Sequence, residues 1–120
     1  MFTISVEIYF HASHQLRLLN GDKESIHFHD WCVTAYVSSA KLDNMGIVMD
    51  FAELREMVEK IVARFDNKIE VIRYFQENNP SAENVAKYIY DEMKLQLPKN
   101  VKLNCVKVTE EPGYTAKFED

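Results

Sequence analysis

Hydrophobic and polar residues alternate at the start of the chain, with Ile4, Val6, Ile8 and Phe10 set against Thr3, Ser5, Glu7 and Tyr9. A period of two predicts a strand with one buried face. A polar loop from Asn20 to Ser25 follows. A second alternating run then extends from Ile26 to about Ala40, placing His27, His29, Trp31, Val33, Ala35 and Val37 on one face. Asp43-Asn44-Met45-Gly46 marks a turn. Beyond it the period changes. Asp50, with Glu53 three residues on, gives a capping-box-like start, and Leu54, Met57, Val58, Ile61, Val62 and Phe65 follow at helical spacing. Residues 66–79 are polar and aperiodic, with Tyr74-Phe75 as their expected anchor. Pro80-Ser81 opens a second helix, whose buried side is Ala82, Val85, Ala86, Ile89 and Met93 and which Pro98 ends. Two strands complete the chain, Val101–Thr109 and Tyr114–Phe118, turning at Pro112-Gly113.

The order ββααββ predicts an α+β fold, a four-stranded antiparallel sheet with two helices on one face. At 120 residues and 47% hydrophobic content the chain is expected to be a single domain, 1-120, with an ample core. Such a sheet has long open edges. Edges of this kind are normally paired or covered, so self-association into a closed ring of strands is expected, with a site at a subunit boundary. The net charge of -5 and the lack of a Lys/Arg run argue against nucleic acid as a partner. No apolar stretch is long enough to span a membrane and no signal-type amino terminus is present, so a cytoplasmic protein is expected. Cys32 and Cys105 lie in apolar strand-like runs and are expected to be reduced, buried thiols.

The candidate chemistry lies in the histidines. His14, His27 and His29 are spaced H-x12-H-x-H, and the chain holds only four histidines in all. Period-two geometry puts His27 and His29 on one strand face, and a third imidazole from a neighbouring strand completes a three-histidine set. A set of that kind keeps an open position on Zn2+, as catalytic sites do, whereas structural sites close it, usually with cysteine. A structural metal site in an unrelated antiparallel domain is the alternative reading of the same residues.

Five ordered motifs resemble the 6-pyruvoyl-tetrahydropterin synthase / 6-carboxytetrahydropterin synthase family over nearly the whole chain. Phe10-His11-Ala12-Ser13-His14 resembles F-x-A-x-H, and His27-Phe28-His29 resembles H-G-H. Gly46-Ile47-Val48-Met49-Asp50-Phe51 resembles G-M-V-x-D-F, Pro80-Ser81-Ala82-Glu83-Asn84 resembles P-T-x-E-N, and Glu110-Glu111 stands at an E-T motif. The resemblance implies the tunnelling fold, in which trimers pair into hexamers around a strand-built barrel. It also implies zinc on His14, His27 and His29, and Glu110 on the pterin ring of a small-molecule substrate. A carboxylate suits that ring because it accepts two parallel N–H bonds from the 2-amino-4-oxo edge.

The chain also departs from the family pattern. Lys23 stands four before His27, where the family has a catalytic cysteine, and Asp66-Asn67 keeps the aspartate of an L-D-H segment but not its histidine. Glu24 instead gives E-x-x-H-x-H, which resembles a branch that cleaves the side chain of dihydroneopterin triphosphate to a 6-hydroxymethyl pterin for folate synthesis. Glu24 is then the expected base, with Asp66 orienting a proton relay or a substrate hydroxyl. Side-chain elimination of the parent type, a 6-carboxytetrahydropterin synthase of queuosine synthesis, and a pterin-binding member without turnover are the other outcomes the resemblance allows. His11 is additional to the pattern and is expected to be exposed, because its odd position places it with the polar residues of the first strand.

Overall fold

The computed structural model describes residues 1–120 and forms a meander of four strands, β1 (Phe2–His14), β2 (His27–Ser39), β3 (Lys102–Glu111) and β4 (Tyr114–Phe118), in the sheet order β1-β2-β3-β4. Every neighbouring pair is antiparallel. The expected helices are α1 (Phe51–Ala63) and α3 (Ala82–Lys94). Between them lie a 3-10 turn at Ile69–Val71 and a one-turn helix, α2 (Tyr74–Glu77). That connecting segment is therefore more ordered than its polar composition suggested. Ile69 and Phe75 plug it into the core, both wholly inaccessible to solvent.

Alternation decides which sheet face is covered. Val6 and Ile8 of β1, Trp31, Val33, Ala35 and Val37 of β2, and Leu103, Val106 and Val108 of β3 join Leu54, Val58 and Ile61 of α1 and Val85, Ala86, Ile89 and Met93 of α3 in one core. Both expected caps are in place, although Glu53 returns no hydrogen bond to Asp50. Asp50 accepts the Ala52 N–H at 2.7 Å, and the Ser81 side chain accepts the Asn84 N–H at 3.2 Å. The opposite sheet face carries Glu7, Tyr9, His11, Asp30 and Lys107 and has no layer upon it. Cys32 and Cys105 belong there too, which corrects the expectation of buried thiols: both are free and only half-buried, though burial still pushes each thiol's pKa up. No helix is long and apolar enough to cross a membrane.

The molecule measures 54 × 26 × 23 Å, with a radius of gyration of 15.3 Å. Two irregularities shape its sheet. One shifts the register between Tyr36 and Val37. The other, between Thr109 and Glu111, leaves Glu110 without a partner in the ladder to β4. Bulges of this kind re-aim side chains and gather beside functional sites.

Candidate metal and pterin site

His14 is the last residue of β1 and pairs across the ladder with His27, while His29 sits opposite Ala12, two positions further along β2. The period of two therefore puts all three rings on the covered face at one end of the sheet. Their metal-binding nitrogens lie within 4.8 Å of one another. Trp31 forms the floor, edge-on to His14 at 4.9 Å and to His29 at 5.7 Å between ring centroids. Its indole N–H donates to the Ala12 carbonyl at 3.1 Å, which fixes the ring.

The hydrogen bonds define the tautomers. His14 Nδ1 is 2.8 Å from the Pro80 carbonyl, and His27 Nδ1 is 2.9 Å from the Ser25 carbonyl. A carbonyl only accepts, so both Nδ1 atoms carry hydrogen and the neutral rings turn Nε2 lone pairs toward the centre. Those two Nε2 atoms are 2.8 Å apart, and His29 Nε2 is buried with no hydrogen-bond partner. Lone pairs converging in this way, with Nδ1–H anchored from behind, are the arrangement of imidazoles that share a cation. The residues present thus fit a divalent metal. Burial lowers the His29 pKa, with the neighbouring His14 and His27 adding to the effect and the Glu110 and Glu111 carboxylates opposing it, which favours the neutral ring that a metal needs.

Carboxylates surround the rings. Glu110 places Oε1 3.3 Å from His14 Nε2 and Oε2 3.9 Å from His29 Nε2. Glu24 places Oε1 3.7 Å from His27 Nε2, and the same oxygen accepts the Leu16 N–H at 3.1 Å, so the loop after β1 holds the carboxylate in place. Glu111 approaches His29 Nδ1 to 3.9 Å. Sequence reasoning did not single out Glu111, because alternation assigns it to the other face. The bulge at Glu110 is what lets two successive carboxylates approach one ring. Glu110 also lines a cleft of about 420 Å³ with Ser81, Ala82 and Glu83 from the start of α3 and Gly113 to Ala116 from β4.

The Pro80-to-Asn84 segment fastens this end of the molecule. Asn84 Nδ2 donates to the Asn79 carbonyl at 2.8 Å, and Asn79 exchanges two hydrogen bonds with the Arg17 backbone, at 2.8 and 2.9 Å. This lattice holds the Pro80 carbonyl behind His14.

Asp66 and His11 lie elsewhere. Asp66 and Asn67 adopt left-handed backbone angles, φ 46 and 64. Together with Tyr9, His11, Arg55 and Glu59 they line a separate cleft along β1, to which none of the three converging histidines contributes. His11 is exposed, as expected. Lys23 forms an isolated bridge with Arg17 in the loop beside Glu24.

A fold of this topology, with imidazoles and carboxylates gathered at one end of its sheet, is that of the tunnelling-fold proteins. The sequence model of the 6-pyruvoyl tetrahydropterin synthase family matches residues 3–120, and the chain belongs to that family. The 6-carboxy-5,6,7,8-tetrahydropterin synthase of Rickettsia conorii is 24% identical, over 94% of this chain and 96% of that protein. The dihydroneopterin monophosphate aldolase of Pyrococcus furiosus is 28% identical, over 92% of this chain and 90% of that protein. Among solved structures, 6-pyruvoyl tetrahydropterin synthase from Caenorhabditis elegans superposes with a TM-score of 0.83 at 19% identity, covering 99% of this chain and 95% of that one.

Proposed function

We propose that this protein is a zinc-dependent lyase that cleaves the side chain of a phosphorylated dihydroneopterin, dihydroneopterin triphosphate first, by a retro-aldol route with Glu24 as base. The observation carrying this reading is the pair of carboxylates flanking the converging Nε2 atoms, Glu24 at 3.7 Å from His27 and Glu110 at 3.3 Å from His14. No thiol stands in the loop before His27 to serve instead. The similarity to a dihydroneopterin monophosphate aldolase supports the same chemistry.

His14, His27 and His29 would hold the zinc, which when bound supplies Lewis acidity toward the side-chain hydroxyls. Glu110, in its cleft, accepts the two N–H groups of the pyrimidine edge and so fixes the ring. Glu24 takes the proton of the C2′ hydroxyl, and the C2′–O electrons become a carbonyl. The C1′–C2′ bond breaks, and its pair moves into the C6=N5 imine of the dihydropterin. Return of a proton to C1′ restores the imine and gives 6-hydroxymethyl dihydropterin plus a glycolaldehyde phosphate ester. Asp66 contributes a relay or hydroxyl contact only if a second copy brings its cleft to this one, consistent with a ring of copies joined through the open sheet edges.

The test is to incubate zinc-loaded protein with dihydroneopterin triphosphate, and separately with the monophosphate, and to separate the products. A 6-hydroxymethyl pterin, lost in the Glu24→Gln variant while zinc stays bound, is the expected result. A 6-pyruvoyl or 6-carboxy product overturns the retro-aldol reading. Unchanged substrate with pterin-dependent thermal stabilisation leaves a binding protein instead.

A further inference from the structure

Two of the three converging rings have their outer nitrogen fixed by the backbone. The Pro80 carbonyl accepts the Nδ1–H of His14, and the Ser25 carbonyl accepts that of His27. His29 has no such anchor. Its Nε2 is buried without a hydrogen-bond partner, and the acceptor that approaches its Nδ1 is Glu111 Oε2, at 3.9 Å. An imidazole left free on its outer side can carry its hydrogen on either nitrogen, and a hydrogen on Nε2 blocks the lone pair that a metal needs. His29 is thus the one ring of the set whose tautomer the backbone does not decide.

We infer that Glu111 is a positioning residue for His29: its carboxylate accepts the Nδ1–H of that ring and so turns the Nε2 lone pair toward the metal centre. The inference rests on the metal-centred reading of the site given above. The backbone of Glu111 is fixed on both sides. The irregularity after Thr109 precedes it, and Pro112-Gly113 follows, a proline and then a glycine at φ 92, as a type II turn requires. Across that turn Glu111 faces Tyr114 in the ladder. Only its side chain is left to move, and at 46% exposure it is not packed in place. A charge-assisted hydrogen bond is about 2.8 Å long, so the gap to close is about 1 Å, which rotation about the bonds of a glutamate side chain spans.

The carboxylate is also uncommitted. Glu111 pairs with no lysine or arginine, and the His29 ring is the one ionisable partner beside it. Glu24 and Glu110 are likewise paired only with the histidines. Three carboxylates gathered round three neutral rings favour a cation at the centre, and a carboxylate behind an imidazole makes the ring a more basic ligand for it. Glu111 acts through the ring rather than on the substrate, so its loss is felt first in the affinity for metal and only through that in turnover.

The experiment measures the zinc affinity of the full-length protein by competition with a chromogenic chelator, for the unaltered chain, Glu111→Ala and Glu111→Gln. Visible absorption of the cobalt(II)-loaded proteins reports the ligand set, and the melting temperature of each metal-free form serves as control. Glu111→Ala is expected to weaken zinc about 10–100-fold and to alter the cobalt spectrum, with the metal-free melting temperature unchanged. Glu111→Gln, whose amide oxygen still accepts the Nδ1–H, is expected to recover most of that loss together with the unaltered spectrum. If Glu111→Ala binds zinc as tightly as the unaltered chain, the assignment of Glu111 is overturned and the metal site stands. If Glu111→Gln is as weak as Glu111→Ala, the role as acceptor is overturned. A loss of affinity matched by a fall in the metal-free melting temperature marks a merely structural residue and overturns it too. If the unaltered chain takes up no stoichiometric zinc, the metal-centred reading fails and this one with it.

Discussion

His14 and His27 cannot hold two lone pairs 2.8 Å apart, with both Nδ1 atoms committed to carbonyls, unless a cation or proton lies between them. Removing one ring therefore removes the reason for the arrangement. His27→Ala or His29→Ala is expected to abolish stoichiometric zinc, measured as metal per chain by elemental analysis, whereas His11→Ala is expected to leave it intact. Loss of metal in the His11 variant and retention in the His29 variant would reverse the assignment. Acidity acts on the same rings. The folded-state pKa of His29 lies below the ordinary 6.5, so the unfolded chain binds the extra proton first as pH falls. The stability of the metal-free protein is therefore full above about pH 6.5 and declines below it, read as a falling melting temperature between pH 7.5 and 5.5. A flat profile over that range would mean that the ring is solvated after all.

At the scale of elements, the period-two runs and the two apolar stripes were legible because alternation and helical spacing are local properties of sequence. H-x12-H-x-H was legible for the same reason, since one strand pair carries all three rings. What could not be read depends on contacts distant in sequence or on broken periodicity. The Pro80 carbonyl reaches His14 across 66 positions. The bulge at Glu110 has no sequence mark, and it alone explains how Glu111 comes near His29. The segment between α1 and α3 is aperiodic in sequence because a 3-10 turn and a single helical turn are too short to show a period. Yet it is anchored deeply. Phe75→Ala, at a site with no solvent access, is expected to cost about 3–5 kcal/mol. Ser81→Ala, which removes the cap of α3, is expected to cost about 1 kcal/mol. Denaturant midpoints for the two variants check the ranking, and equal losses would contradict it.

For the whole molecule, the core of 25 buried residues excludes all three converging histidines. A fold with so large an apolar core is expected to persist without the metal, unlike a zinc finger. Stripping zinc with a chelator is expected to abolish turnover while leaving the far-ultraviolet circular dichroism unchanged. Unfolding on chelation would instead point to a structural ion. Shape carries a further consequence. A chain of this length packs on average to a radius of gyration of about 14 Å, whereas this one reaches 15.3 Å and is twice as long as it is wide. A lone copy is a short rod and drags through solvent as one. Copies standing side by side around an axis would fill out to a nearly isometric body, with less friction per unit mass. Analytical ultracentrifugation should therefore find a raised frictional ratio for single chains, and a ratio close to that of a sphere for any ring of copies that assembles at higher concentration.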